Sequence, residues 1–454
     1  MLVTLTFIFI LSHSGLLCLA APAVGLGRRS SAASGTFNIL SMNVAGLPEI
    51  LNGNGESGDK TTNTMLIGQD FAKYNYGVIH VQEDFNYHAT LYQYDTHPYR
   101  TATSGGVPFG SGLNTLSNYN WTDFSRIKWD TCSNASESDC LTPKANMKGF
   151  TFMRLRVDEG VYIDFINLHA DAGTEAGDET ARTANVKQVA DYVSANSVGN
   201  AVIIFGDTNS RYTRSEDNIR LFSTQNGLTD AWVQAIGGIA PAAGSDALVC
   251  PNGVPADIKC EVVDKVFFRG SNFITLKSSG FYYDTARFLS TDLATLTDHN
   301  PIRVEFAWSL ASTLRQSDLF GGPHGTWFND LPSLPSSPKV ASVTLRGANR
   351  LDAIVIKLTS GASFSHGGTG GTAYSLSLSS GESISSVKLC WGQYSSQTRN
   401  FYALVTTSAG RTVSAGTTTS DCATATAPSG FGVVATYGQS GDEIDQLGFI
   451  YAKQ

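Results

Sequence analysis

The chain has 454 residues, of which 42% are hydrophobic and 15% charged, and it carries 45 glycines and a formal net charge of −8. This composition excludes disordered, collagen-like and coiled-coil proteins, and the length suits two or three domains. A nucleic acid partner is disfavoured, because binding a polyanion needs clustered cations and no Lys/Arg run exceeds the pair Arg28-Arg29.

The N-terminal residues predict a cleaved secretory signal over 1–20, which would make the protein secreted and extracellular. An apolar stretch over 2–20 is interrupted by polar residues at 12–14 and ends in Cys-Leu-Ala. The alternative is an uncleaved membrane anchor, which the polar interruption argues against. Residues 21–36 form an N-terminal segment in which Arg28-Arg29 could mark a second processing step.

Between residues 37 and 309, buried apolar runs alternate with amphipathic stretches, a pattern typical of an α/β domain. Val186, Val189, Ala190 and Val193 recur at helical spacing and predict a helix over about 180–195. Strands are predicted at the bulky runs 37–44, 78–81, 150–157, 161–170, 201–205, 263–268 and 301–308.

A second domain follows a boundary rich in Ser, Gly and Pro over 309–339. Residues 310–320 are expected to be a linker. Residues 321–454 consist of short alternating runs among Ser, Thr and Gly, which predict an all-β module.

The six cysteines that remain after signal removal favour three disulfides in a secreted protein. Their short separations favour the local pairs Cys132–Cys140, Cys250–Cys260 and Cys390–Cys422, although other connectivities are possible on paper. A zinc site is the rival interpretation, but no CxxC motif is present. Asn120 and Asn134 begin glycosylation sequons.

Polar residues stand at the ends of several predicted strands of the first domain. A sheet gathers the ends of its strands in one place, so these residues can converge on one site. Carboxylates there suit a hard cation such as Mg²⁺, and histidines can transfer protons near neutral pH. The residues concerned are Asn43, Glu83, His169, Asp207, Asn209, Asp264, Asp298 and His299.

These residues lie in six motifs that resemble, in order, those of the endonuclease/exonuclease/phosphatase superfamily. The superfamily includes deoxyribonuclease I, abasic-site endonucleases and secreted neutral sphingomyelinases, and the resemblance implies a four-layer α/β sandwich over 37–309. The motifs are SMNVAGLP (41–48), VQED (81–84), NLHAD (167–171), FGDTN (205–209), VDKVFF (263–268) and TDHNPI (297–302).

The resemblance also implies a metal-dependent phosphodiesterase. Glu83 would be the main ligand of Mg²⁺, or of Mn²⁺ or another divalent cation, with help from Asn43 and Asp298. Each residue has a structural alternative, because Asp-His-Asn and Gly-Asp-Thr-Asn also occur as ordinary turns.

The same resemblance assigns catalytic roles to five further side chains. His299 would be the general base that deprotonates the attacking water, with Asp264 fixing its tautomer. His169 would donate to a phosphate oxygen, while Asp207 and Asn209 would hold the water and the phosphate.

The substrate implied is a phospholipid or sphingophospholipid head group at a membrane surface. The cysteine-bearing loop before a lysine-glycine strand in 130–157 looks closer to the secreted sphingomyelinase branch than to the nucleases. A secreted nuclease of the deoxyribonuclease I type is the first alternative. A carbohydrate-binding protein with an inactive first domain is the second.

The C-terminal module resembles the jacalin-related lectins, which fold as a three-faced β-prism. The resemblance rests on GGPHGTWFND (321–330), SHGGTGG (365–371) and GQSGDEIDQLGFIY (438–451). It implies a sugar site that would direct the enzyme to glycans. A non-binding module remains the alternative, and the oligomeric state stays open. The residues of the implied site are Gly321, Gly322, Gly441, Asp442, Glu443 and Asp445.

Overall fold

The computed structural model describes residues 32–51, 58–107, 109–136, 140–142, 145–146 and 148–454. The expected signal peptide over 1–20 and the pair Arg28-Arg29 lie outside the described residues, as does most of the segment 21–36. None of the helices found in the described part of the chain is both long and apolar enough to cross a bilayer.

The N-terminal domain is built from strands β1 to β14 and helices α1 to α5. The strands are β1 (Ser34–Asn43), β2 (Val78–Gln82), β3 (Tyr99–Arg100), β4 (Asn114–Ser117), β5 (Trp121–Lys128), β6 (Cys140–Thr142), β7 (Ala145–Asn146), β8 (Gly149–Asp158), β9 (Val161–His169), β10 (Ala201–Asp207), β11 (Thr229–Asp230), β12 (Asp264–Arg269), β13 (Ile274–Tyr283) and β14 (Ile302–Leu310). The helices are α1 (Lys60–Tyr74), α2 (His88–Tyr94), α3 (Ala176–Asn196), α4 (Leu221–Asn226) and α5 (Ala231–Ala235).

These elements form the predicted four-layer α/β sandwich. One sheet has the order β13-β14-β1-β2-β4-β3 and the other has the order β11-β12-β10-β9-β8-β5. Side chains of β1 alternate between the two sides of their sheet: Ile39 joins the core between the sheets, whereas Leu40 packs with Ile67 and Phe71 of α1. On the far side of the other sheet, Val189 of α3 joins the main core. Helices therefore cover both outer faces.

The histidine His80 of β2 is buried in the interior between the sheets. Its ring stacks on that of Phe205, with ring centroids 3.6 Å apart, and Nδ1 lies 3.2 Å from the carbonyl oxygen of Phe205. Burial lowers the pKa of His80 to about 3, against the weaker effect of that hydrogen bond. The folded protein therefore keeps this ring neutral.

Replacing His80 with leucine is expected to make the protein less sensitive to acid. The pKa of His80 is lower in the folded protein than in the unfolded chain, so the unfolded chain takes up the proton first as the pH falls. The stability of the fold is therefore fully present above pH ~6.5 and decreases below that value. Between pH 7 and pH 5 the wild type should lose about 2 kcal/mol more than His80→Leu. Denaturant unfolding at both pH values measures this difference, and an equal loss in both proteins would contradict it.

The C-terminal domain is all β, as the sequence predicts. Its strands are β15 (Leu314–Gln316), β16 (Phe320–Gly321), β17 (Thr326–Asn329), β18 (Val340–Gly347), β19 (Leu351–Leu358), β20 (Ser363–Gly367), β21 (Thr372–Ser377), β22 (Ile384–Tyr394), β23 (Gln397–Thr407), β24 (Thr412–Gly416), β25 (Asp421–Thr426), β26 (Phe431–Ser440) and β27 (Ile444–Lys453).

Three groups of these strands form the faces of a β-prism. The first face is the four-stranded sheet β20-β19-β18-β21. The other strands form one branched sheet, in which β22 and β26 pair at Ile384 and Val433. The pairing separates a face of β22 to β25 from a face of β15 to β17, β26 and β27. The segment expected as a linker, 310–320, includes β15, which pairs with β27.

Polar side chains join the two domains. Asp123 of β5, which has a φ of 62°, accepts hydrogen bonds from Gln439 (3.0 Å) and Gln446 (3.2 Å) of the prism and from Arg154 of β8. The guanidinium of Arg154 lies 3.4 Å from the ring centroid of Trp327. Ala32–Gln454 accordingly forms one compact unit.

Candidate active site

The ends of strands from both sheets bring the predicted polar residues together. Asn43 ends β1 and Glu83 directly follows β2 in one sheet. In the other sheet, β10 pairs with both neighbours so that Asp207 stands opposite His169 of β9 and Asp264 of β12. Residues far apart in sequence therefore share one edge of the sandwich.

His299 and Asp264 form a hydrogen-bonded pair. Nδ1 of His299 lies 2.7 Å from Oδ2 of Asp264, and Nε2 lies 3.8 Å from Oδ2 of Asp207. Burial favours the neutral ring, but the negative charges of Asp264 and Asp207 outweigh it and raise the pKa of His299 well above its ordinary value. The pair leaves Nε2 of a basic imidazole directed at the region of Asp207.

His169 is a second histidine beside Asp207, in a different environment. Its Nε2 lies 3.4 Å from Oδ2 of Asp207, and the indole N–H of Trp129 donates to its backbone carbonyl over 2.8 Å. Burial lowers the pKa of His169 to about 3, and Lys148 lowers it further against the opposing charge of Asp207. The two histidines therefore have opposite pKa shifts within one site.

Glu83 is a carboxylate whose surroundings fit a divalent cation. It has a φ of 57°, its Oε1 accepts from Nδ2 of Asn43 over 3.0 Å, and its buried Oε2 has no hydrogen-bond partner. Burial raises the pKa of Glu83, Lys148 and the Asn43 amide oppose that shift, and Asp298 adds to it. An uncompensated buried carboxylate oxygen suits a hard cation.

A second group of possible ligands lies next to Glu83. The ligand atoms of Asp207, Asp264 and His299 all lie within 4.8 Å of one another. The close contact between Asp264 and His299 already satisfies one atom of each residue. The other oxygen of Asp264, Oδ1, is buried without a hydrogen-bond partner, so Asp264 also offers an oxygen to a cation.

Asp298 and Asn209 occupy the loops around this centre. The side chain of Thr297 donates to the carbonyl of Asn43 over 2.7 Å, which attaches the Asp298 loop to the end of β1. Asn209 has a φ of 49°, and its backbone N–H donates to Oδ1 of Asp207 over 2.9 Å. All eight residues predicted for catalysis and metal binding therefore lie at or beside one site.

Two contributors were not assigned to the site from sequence. Lys148 acts on the pKa of both Glu83 and His169, so its charge lies near them. The loop closed by Cys250–Cys260 forms one wall of a cleft of about 400 Å³, which also includes Asp264, Asp298 and His299. The short separation of Cys250 and Cys260 predicted a closed loop, but it gave no indication that this loop lies beside the cleft.

The predicted cysteine pairs are confirmed. Disulfides join Cys132 to Cys140, Cys250 to Cys260, and Cys390 to Cys422. Of the two sequons, Asn120 and Asn134 are both exposed. The side chain of Asn134 also makes hydrogen bonds to the backbone N–H and carbonyl of Cys140, over 2.7 and 2.6 Å.

The predicted sugar residues lie around a separate pocket of about 310 Å³ in the prism. Gly441, Asp442, Glu443 and Asp445 line it, together with His324 and Gly325. Gly321 and Gly322 lie beside it: Gly321 pairs with Gln446, and the N–H of Gly322 donates to the carbonyl of Asp445 over 2.9 Å.

Sequence families and known proteins match a segment in each of the two domains of the chain. Residues 58–233 match the endonuclease/exonuclease/phosphatase family 2, and residues 317–450 match the jacalin-like lectin domain. Sphingomyelinases of Mycobacterium bovis and Mycobacterium tuberculosis are 36% identical over 280 residues, which covers 60% of this chain and 53% of theirs. The chain thus spans about half the length of the curated relatives it matches.

Solved structures similar to each domain also exist. Beta toxin from Staphylococcus aureus is 16% identical, with a TM-score of 0.40, and the match covers 59% of this chain and 99% of that one. A mannose binding jacalin related lectin from Ananas comosus is 21% identical, with a TM-score of 0.28, over 31% of this chain and 99% of that one. The chain thus contains one segment that matches the endonuclease/exonuclease/phosphatase family 2 and a second that matches the jacalin-like lectin domain.

Proposed function

We propose that the protein is a secreted, divalent-metal-dependent phosphodiesterase that hydrolyses the head groups of phospholipids or sphingophospholipids. The observation that carries the proposal is the joint geometry of the candidate site: a His299–Asp264 pair, a second histidine at Asp207 and an unpartnered buried oxygen of Glu83. These are the groups that hydrolysis of a phosphodiester by an activated water requires.

Glu83, Asn43 and Asp298 would hold the cation, with Mg²⁺ as the proposed ion. When bound, the cation supplies positive charge that stabilises the phosphoryl oxygens and the leaving oxygen. The carboxylate of Glu83 and the amide of Asn43 are already held together by a hydrogen bond of 3.0 Å.

The attacking water would lose its proton to Nε2 of His299. Asp264 accepts from Nδ1, which fixes the tautomer that leaves Nε2 free to accept, and it stabilises the imidazolium that forms. Asp207 lies 3.8 Å from Nε2 and would orient the water together with Asn209. His169 would donate a hydrogen bond to a non-bridging phosphate oxygen as its charge increases.

A lipid substrate is favoured by the loop along the cleft. This loop exposes Leu248 (40%), Val249 (55%) and Val254 (47%), and Val249 also lines the cleft. Residues 221–258 contain no Lys or Arg. Among the described side chains that line the cleft, the basic ones are Arg211 and His299. An apolar rim of this kind fits an uncharged membrane surface better than a DNA backbone.

Replacing Leu248 and Val254 together with aspartate is expected to reduce hydrolysis of vesicle-bound substrate by about 30-fold, since burying each half-exposed side chain in lipid contributes about 1 kcal/mol. Hydrolysis of a water-soluble short-chain substrate should stay unchanged. Tyr374→Asp, a similarly exposed position on the prism, is the matched control. Equal losses on both substrates would argue against lipid contact by this loop.

The substrate class is tested by offering sphingomyelin vesicles, phosphatidylcholine vesicles and plasmid DNA side by side to the secreted protein with Mg²⁺. Head-group release that stops with a chelator is the expected result. Nicking of DNA without release of head groups would assign the protein to the nucleases instead. Absence of cleavage on all three would contradict the phosphodiesterase assignment.

The prism would add glycan binding through the pocket at Gly441–Asp445, which would direct the enzyme to glycan-bearing surfaces. The support is the match of residues 317–450 to the jacalin-like lectin domain together with the pocket itself. Glycan binding is independent of catalysis, so it is tested separately below.

A further inference from the structure

One oxygen of the Asp445 carboxylate, an acceptor in the proposed sugar site, already accepts a hydrogen bond. An N–H of Arg399 donates to Oδ1 of Asp445, and the side chain of Asp445 is only 3% exposed. Arg399 lines the same pocket, and its own side chain is 20% exposed. Within the pocket, Asp445 therefore faces a guanidinium group.

Arg399 is held in this position by further contacts. It donates to the side-chain oxygen of Gln397 over 2.6 Å, and its Nε lies 3.8 Å from Oε2 of Glu443. Glu443 is itself bonded by Nε of Arg350 at 2.7 Å from each carboxylate oxygen. Both of these pocket carboxylates are thus paired with arginines.

A neutral hexose offers hydroxyl groups that need strong acceptors to bind tightly. Oδ1 of Asp445 already accepts a charge-assisted hydrogen bond from a guanidinium, which weakens it as an acceptor for a hydroxyl group, and little of the side chain is exposed to a ligand. Moving Arg399 aside would expose Asp445 next to Gly325, where an added Cβ would lie only 2.5 Å from Oδ2 of Asp445. Because residue 325 is a glycine, the space beside the Asp445 carboxylate is free, and a larger side chain would fill it.

We propose that Arg399 determines the specificity of this pocket by closing it to neutral hexoses. The inference rests on the lectin assignment in the proposed function, but not on the phosphodiesterase assignment. In this arrangement the architecture of a neutral-sugar site is present, and the ion pair between Arg399 and Asp445 keeps it from binding such sugars until the arginine is displaced.

The test is a calorimetric titration of the full chain with methyl α-mannoside, a neutral hexose probe. Arg399→Ala is expected to bind the probe at least about tenfold more tightly than the wild type, which corresponds to about 1.4 kcal/mol. The double variant Arg399→Ala/Asp445→Asn should lose this gain, because the freed acceptor is removed. Arg346→Ala is the matched control, since Arg346 is a half-buried arginine of the prism whose side chain donates to the backbone carbonyls at 369–371.

Three results would overturn the proposal. Equal affinity of the wild type and Arg399→Ala would show that the arginine does not limit binding, and a gain that persists after Asp445→Asn would place the sugar elsewhere. Absence of binding in every variant, with unchanged thermal unfolding, would overturn both the proposal and the lectin assignment. Head-group release by the same preparations reports separately on the phosphodiesterase. Arg399→Lys, which retains the charge, keeps the test informative if the alanine variant unfolds.

Discussion

Replacing His299 with alanine is expected to lower the turnover of head-group release by about 10² to 10⁴-fold, the range that a general base contributes. The physical reason is the loss of Nε2, which stands 3.8 Å from Asp207 and is made strongly basic by Asp264. KM for vesicle substrate should change little, because the proton is transferred only in the transition state. Initial rates over a range of vesicle concentrations separate the two constants.

The prism provides a matched control for this variant. Nε2 of His366 lies 2.7 Å from Oδ1 of Asp330, and the side chain of His366 is 17% exposed, against 19% for His299. His366→Ala therefore removes a comparable histidine–carboxylate pair away from the cleft and should leave turnover unchanged. If His299→Ala retained more than a tenth of wild-type turnover, another group would have to be the base.

Glu83→Gln is expected to abolish measurable Mg²⁺ binding and to reduce activity by at least about 100-fold, because the substitution removes the charged ligand oxygen while keeping the shape of the side chain. Calorimetric titration with Mg²⁺ alone tests the ligand role without substrate. Glu305→Gln, a carboxylate on β14 that is bonded to Arg303, is the control and should bind Mg²⁺ like the wild type.

The unfolding temperature of Glu83→Gln also distinguishes a metal-binding role of Glu83 from a structural one. In the metal-free protein, the side chain of Glu83 is half-buried, its buried Oε2 has no hydrogen-bond partner, and burial raises its pKa. Neutralising this carboxylate relieves the cost of burying its charge, against the smaller stabilising effects of Lys148 and the Asn43 amide, so metal-free Glu83→Gln should unfold at the same or a higher temperature than the wild type. A large loss of stability would indicate that Glu83 has a structural role instead.

The sequence predicted that the candidate site residues lie close together because several of them stand at strand ends. Asn43, His169 and Asp207 each end an apolar run, and such runs are read directly from local hydrophobicity. Once these strands pair in two sheets, the position of their final residues follows from the register. The helix predicted over 180–195 lies within α3, which extends over 176–196.

Features that depend on contacts between distant segments could not be predicted in this way. Arg399 and Asp445 are 46 residues apart on different strands, so no local pattern links them. The contacts of Asp123 with Gln439 and Gln446 join different domains, and nothing around Asp123 indicates a partner more than 300 residues away. Long-range pairings of this kind are decided by tertiary packing.

The network at Asp123 has a consequence for how the enzyme would work at a surface. Gln439 and Gln446 lie opposite each other at the base of the hairpin whose turn carries Gly441–Asp445, so the turn of the proposed sugar site is attached to the N-terminal domain. A molecule held by a glycan could not swing its cleft on a flexible tether. Productive encounters would be decided by the angle at which the glycan leaves the membrane, so that two surfaces with equal glycan density could support very different turnover.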